Sequence, residues 1–193
     1  MGAAILPDLI EGPDLVLRRW TTEDVERLAA LVAGNVDHLR PWMAWIADEP
    51  LSHHERFELI ERWERQWRQG GDVVMAIEWH GVPVGGTGLH RRRGPQGLEI
   101  GYWVDKDHLR RGIATQAAAL LTTAALATDG IEFVEIHHDK ANVPSAAVAR
   151  RLGYRFLGEW PDPVTAPGET GIDCAWRMVA EQWQPQAILD WRR

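Results

Sequence analysis

The chain has 193 residues, 45% hydrophobic and 25% charged, which suits one ordinary globular domain and excludes a disordered or fibrous chain. Its formal net charge of −7 argues against sequence-independent nucleic-acid binding and favours cationic ligands such as amines. The longest nearly apolar stretch, 113–127, is interrupted by Thr115, Gln116, Thr122 and Thr123 and falls short of the roughly 20 residues a spanning helix needs, so no membrane partner is expected.

In chain order, the first residues carry Asp8, Glu11 and Asp14 and no basic start, unlike a secretory signal, which makes cytoplasmic the expected location. Residues 15–20 read as a strand. Thr21 or Thr22, with acidic residues just after, starts a helix running to about residue 33. Residues 38–47 form a second helical turn or two, ended by Pro50. Ser52 and Glu55 make a capping box for a third helix to residue 69, stopped by Gly70 and Gly71. Trp42 and Trp45, then Trp63 and Trp67, recur at spacings of three and four and so share helix faces. Core packing is the plain reading of these tryptophans. The functional one is a wall for an apolar or aromatic acceptor, and aromatic residues also suit a homodimer contact.

From residue 72 the rhythm becomes that of strands: 73–79, a turn at His80 and Gly81, 82–90, a polar loop 91–97, then 98–104. A long Ala- and Leu-rich helix (112–128) follows, then a strand (131–138), a short helix (144–152) and another strand (154–160). After a Pro- and Gly-rich loop, 161–171, come a last strand, 172–180, and a tail whose Trp183 and Trp191 dock back. No repeat or linker marks a boundary, so 1–193 reads as a single domain. Cys174 is alone and cannot form an internal disulfide; it reads as a small core residue.

Chemistry concentrates between the strand 98–104 and the long helix, at Leu109, Arg110, Arg111, Gly112, Ile113, Ala114 and Thr115. A helix N-terminus has unpaired N–H groups and a partial positive charge, and Gly112 lets a phosphate approach the backbone. The alternative is a plain strand-to-helix turn with solvated arginines. A P-loop is excluded because no Gly-Lys-Ser/Thr follows, and a dinucleotide fingerprint because its spaced glycines are missing. A second block runs from His138 through Asn142 and Ser145 to Leu152, Gly153 and Tyr154. Taken singly, Asn142 and Ser145 read as helix caps and Gly153 as a helix terminator. The adjacent pairs His53 and His54, and His137 and His138, lack metal-site spacing, so no metal is expected.

The first block resembles the acetyl-CoA signature Q/R-x-x-G-x-G/A of the GNAT superfamily of N-acetyltransferases, with Gly112 and Ala114 at its last two places and Leu109 where the family prefers Gln or Arg. The second resembles its N-x-x-S and L-G-[FY] segments. The run from Leu39 through Trp42 and Trp45 and the strand Glu99, Ile100, Gly101, Tyr102, Trp103 are similar to the RimJ/RimL branch. The resemblance spans roughly 15–180. It implies the α/β GNAT fold: a central, mixed, mostly antiparallel sheet with helices on both faces, splayed between its fourth and fifth strands (98–104 and 131–138). The acceptor side would be the helical part, about 21–70, with the loop 161–171. The acetyl-CoA-binding core would be about 72–160, completed by a strand and tail over 172–193.

The resemblance implies acetyl-CoA as co-substrate and direct acetyl transfer to a primary amine, either a protein N-terminal α-amine or a small molecule such as an amino acid, polyamine or antibiotic. The pantetheine arm would pair with the strand backbone near Trp103 and Val104, the residues 109–115 would cradle the phosphates, and Asn142 and Ser145 would contact the cofactor. Glu99 is the first choice for the carboxylate that binds or deprotonates the amine, against a plain strand-end charge. His138 is the alternative relay, against a structural histidine. Ser145 would protonate the leaving thiolate, with Tyr154 the other candidate acid, and Trp42 and Trp45 would line the acceptor pocket. Two competing readings are an acyl-CoA-binding sensor without catalysis and an interaction module built on the tryptophans.

Overall fold

The structure is a computed structural model and describes residues 6–185. The chain opens with two strands, β1 (Leu9–Glu11) and β2 (Leu15–Arg19), the first a three-residue addition to the elements read from sequence. A 3-10 turn leads into α1 (Val25–Ala33); Asp24 accepts from the Thr21 backbone N–H at 3.0 Å and is gripped by both terminal nitrogens of Arg18. The helical stretch expected at 38–47 divides into α2 (Val36–Leu39) and a separate 3-10 turn, Ala44–Asp48. The helix α3 (His53–Arg68) starts with the expected box: Ser52 Oγ accepts from the Glu55 N–H at 3.3 Å, and Glu55 accepts from the Ser52 N–H at 2.8 Å.

Then come β3 (Val73–Trp79), β4 (Val82–His90) and β5 (Gly97–Val104), the long helix α4 (Ile113–Leu126), β6 (Phe133–Asp139), α5 (Val143–Arg151), β7 (Arg155–Pro161) and β8 (Ile172–Val179). The sheet order is β1-β2-β3-β4-β5-β6-β8-β7, antiparallel throughout except where β5 meets β6 in parallel.

Strand periodicity divides the core between the two faces. Leu98, Ile100, Val134 and Ile136 pack under α4 and α5 with Ala117 and Leu121, in a cluster that Tyr102 borders. Ala76 is buried on the other face with Trp20, Leu28, Val32 and Ile60 of the α1–α3 layer, and Trp103 packs against that cluster. The tail docks as expected at Trp183, whose Nε1–H donates to Thr123 Oγ1 on α4 at 3.0 Å; Trp191 lies outside the described residues. Cys174 is buried in β8. Among the described residues no helix is long and apolar enough to cross a membrane.

Candidate active site

The parallel β5–β6 pairing lasts only from Gly97↔Phe133 to Ile100↔Ile136. Beyond it, residues 101–104 of β5 pair with β4 on one side only, while β6 continues against β8. The two strands therefore fork, leaving an unpaired edge of β5 at the place where the sequence expected a splayed sheet. Unpaired strand edges offer backbone donors and acceptors to any extended chain laid along them.

Above the fork stands the N-terminus of α4. Gly112 is its cap residue, at φ 76°, and no side chain caps the helix. Arg110 also has a positive φ, of 60°. The first-turn N–H groups of Ile113, Ala114 and Thr115 have no acceptor within the helix. This bare terminus fits a phosphate group, since a Cβ at Gly112 would project where the left-handed backbone now leaves none. Leu109, half-exposed, and Ala114 line the adjoining cavity, while Ile113 and Thr115 turn their side chains into the core and can offer only backbone. Arg111 lies over the Trp79 ring, 5.0 Å from its centroid.

The fork opens into a cavity of about 1260 Å³ that crosses to the α1–α3 layer. Asn142 lines it while also capping α5, its side-chain oxygen accepting from the Ser145 N–H at 3.3 Å. Ser145 Oγ lies 2.9 Å from the hydroxyl of Tyr102. Burial, only partly offset by that hydrogen bond, pushes the Tyr102 phenol up to about 12, so it stays protonated. Tyr102 is the residue that sequence reasoning passed over. Its signal was strand parity: position 102 shares a face with Ile100 and Leu98 and so looks toward α5.

The other expected catalytic residues separate. Tyr154 does not line the cavity; it is buried beneath α4, its hydroxyl 2.6 Å from Thr122 Oγ1, and burial raises its pKa. Glu99 does line the cavity, but it is buried rather than a strand-end surface charge. Arg92 donates to one carboxylate oxygen at 3.0 Å and Arg93 donates to the other through Nε at 2.8 Å and again through its terminal nitrogen. His138 lines the cavity with both ring nitrogens engaged: Trp176 Nε1–H donates to Nε2 at 3.0 Å, which leaves Nδ1–H to donate to the Asp139 carbonyl at 2.8 Å.

The facing wall holds Trp42 and Trp45 together with Trp20, Trp63 and Trp103, so five of the chain's 11 tryptophans meet at one cavity. Trp45 is half-exposed, tilted 52° to Trp103 at 6.1 Å between ring centroids. The loop between β7 and β8 closes the space. Gly168 N–H donates to the Pro41 carbonyl at 2.9 Å, and Asp139 accepts from the N–H groups of Thr170, Gly171 and Ile172 at 2.8, 3.0 and 3.2 Å. Below it, His137 sits between Asp173 (2.7 Å) and Glu135 (2.8 Å). Among the described residues no group of three or more His, Cys, Asp or Glu is placed to hold a metal ion.

A family model described as "Acetyltransferase (GNAT) domain" matches residues 14–155. The Bacillus subtilis (strain 168) protein "Putative ribosomal N-acetyltransferase YdaF" is 26% identical over 171 residues, 88% of this chain and 93% of that protein. Among solved structures, a "Probable acetyltransferase" superposes with a TM-score of 0.83 at 26% identity, covering 91% of this chain and 98% of the other. The fold is shared with Mycobacterium smegmatis RimJ in complex with CoA-disulfide, at a TM-score of 0.83, 22% identity, and coverage of 97% and 95%.

Proposed function

This chain belongs to the GNAT acetyltransferase family, and we propose that the amine it acetylates from acetyl-CoA is the α-amine of a protein or peptide N-terminus. The observation that carries the site reading is the fork itself. One opening joins a bare helix N-terminus, an unpaired strand edge and a cavity that continues to the opposite layer, so two substrates can enter from two sides and meet at its apex.

Acetyl-CoA supplies the activated acetyl group. On this chain, the first-turn N–H groups of α4 and Gly112 hold the phosphates, Leu109, Ala114 and Asn142 wall the arm, and the backbone of Trp103 and Val104 pairs with it. The Trp103 side chain turns the other way, into the acceptor wall. Tyr102, protonated, donates to Ser145 Oγ, which frees the Ser145 hydroxyl hydrogen for the departing sulfur. Glu99, with both carboxylate oxygens taken by Arg92 and Arg93, orders the polar rim of the acceptor side, and His138 braces the end of β6.

A peptide acceptor is supported by the wall opposite α4, where five tryptophans, Trp20, Trp42, Trp45, Trp63 and Trp103, spread broad faces along the cavity. The YdaF relative, called a ribosomal N-acetyltransferase, agrees with it. The test is a thiol-release assay with acetyl-CoA across peptides of varied N-terminal residue, polyamines and aminoglycosides. Turnover on peptides is expected; turnover confined to the small amines would overturn the acceptor.

A further inference from the structure

We propose that His90, oriented by Asp72, is the general base that takes the proton from the acceptor ammonium, an inference that rests on the acetyl-transfer reading above. His90 ends β4 opposite Glu99, on the sheet face that looks toward α1–α3. Its Nδ1 lies 2.9 Å from one carboxylate oxygen of Asp72, and the other accepts the Arg91 N–H at 2.8 Å. The hydrogen bond from His90 is the chief cause holding Asp72 below the usual carboxylate range. A carboxylate can only accept, so Nδ1 carries the hydrogen and Nε2 presents its lone pair. Among the described hydrogen bonds His90 uses Nδ1 alone.

Two glycines fix where Nε2 stands. A Cβ built on Gly88 would come within 3.2 Å of it, and one on Gly101 within 3.4 Å. Gly88 and Gly101 are register partners, so the imidazole lies over a bare patch of sheet that any side chain would fill. Gly101 is also the first residue of β5 beyond Ile100, the last one paired to β6. Nε2 therefore stands at the apex of the fork, on the acceptor side, and His90 lines the cavity. A carboxylate that orients an imidazole is a recurrent way of activating a nucleophile, here an amine.

The ammonium passes one proton to Nε2, and the freed lone pair of the amine attacks the thioester carbonyl carbon. The carbon–sulfur bond breaks as Ser145 gives the thiolate its hydroxyl proton, the nitrogen's second proton passes through solvent to restore Ser145, and His90 returns its proton to solvent. The other charged or titratable groups lining this space are Glu99 with Arg92 and Arg93, His137, His138 and Asp139 from β6, Asp173 from β8, Asp162 and Glu169 from the loop between β7 and β8, Glu55, Arg56, Glu58 and Arg62 from α3, His38 from α2, and Asp48 and Glu49 from the segment between α2 and α3.

The experiment measures thiol release against pH for the wild type, His90→Ala, His90→Gln and Asp72→Asn, with acetyl-CoA affinity by titration and with imidazole added to the alanine variant. His90→Ala should lose on the order of 10²–10³-fold in kcat, keep acetyl-CoA affinity within about twofold, regain part of its rate with imidazole, and lose the acidic limb of the kcat/KM profile. Asp72→Asn should lower kcat while acetyl-CoA affinity holds, because the carboxylate that orients the imidazole is gone. His90→Gln keeps a donor toward Asp72 and should lose the same turnover, which separates a lost base from a lost fold. A His90→Ala or His90→Gln enzyme within about threefold of wild type, or one with an unchanged acidic limb, would overturn the base alone. A wild type that binds acetyl-CoA yet releases no thiol with any amine would overturn the acetyl-transfer reading together with it.

Discussion

On the α4 side of the fork the molecule offers mainly backbone: the uncapped first turn after Gly112 and the open edge of β5. On the α1–α3 side it offers side chains: five tryptophans, ion pairs anchored at Glu99 and Glu135, and Asp139 tied to the loop between β7 and β8. Backbone groups carry no individual pKa and tolerate most substitutions that keep the chain path, so the first half should respond to sterics and hardly to pH. Side-chain walls respond to both. The same reaction is thus served by a conservative cradle and a tunable acceptor surface.

The largest effect that would sharpen this contrast is at the cradle. Gly112→Trp sets a bulky side chain where the φ of 76° already makes any L residue strained by about 1–2 kcal/mol, and it fills the approach to the first-turn N–H groups. Acetyl-CoA affinity should fall by at least about a hundredfold, roughly 3 kcal/mol, in a titration of protein shown to be folded by its melting curve. Unchanged affinity in a folded variant would remove the phosphates from this site.

Next in size is the fork's own side chain. Ser145→Ala removes the group between Tyr102 and the departing sulfur and should lower kcat about a hundredfold with acetyl-CoA affinity little changed. A loss in affinity equal to the loss in rate would make Ser145 a binding residue and Tyr102 its brace.

The two halves also differed in how far the sequence revealed them. Gly112 and the N-x-x-S run around Asn142 were readable because a turn that feeds a helix has a local signature, and the fork followed from the resemblance those residues carry. Strand parity was readable too, and it predicts which of Tyr102 and Trp103 faces α5. What local pattern could not supply was partnership across the sheet. Glu99 looked free until Arg92 and Arg93 folded back on it, His138 until β8 brought Trp176 to its Nε2, and His90 looked like a strand end until Asp72, 18 residues earlier, met it. Tyr154 closes the second block, and yet its hydroxyl is directed to Thr122 in the core.

If side-chain charge holds the acceptor half together, pH should loosen it. Burial alone would lower the pKa of His137, but Asp173 and Glu135 outweigh it and raise the value to about 9. A folded-state pKa above the unfolded value of about 6.5 means the stabilisation is fully present below pH 6.5 and is lost as pH rises toward 9. At roughly 1.4 kcal/mol per unit the ceiling is about 3 kcal/mol, and competition with Arg177 and Arg93 for the Glu135 carboxylate brings the expected loss to about 1–2 kcal/mol. Urea midpoints compared near pH 6.5 and pH 9.5 should show this loss in the wild type and not in His137→Gln. The same decline in both proteins would transfer the effect to other groups.

The smallest effect is the one most specific to the acceptor half. Trp103 lies flat against the sheet because Gly86 beneath it has no side chain; a Cβ there would come within 2.6 Å of the indole Nε1 and 3.1 Å of Cε2. Gly86→Ala therefore forces the ring to lift or tilt toward Trp45, narrowing the aromatic wall without touching α4, at a cost of the order of 1 kcal/mol for such overpacking. The peptide KM should rise about five- to tenfold while acetyl-CoA affinity holds, because only the ring of Trp103 moves and its backbone stays in register with Gly86. An equal fall in acetyl-CoA affinity would mean that the ring and the strand edge shift together. Trp103 would then couple the two halves, and the tunable surface could not change without disturbing the cradle.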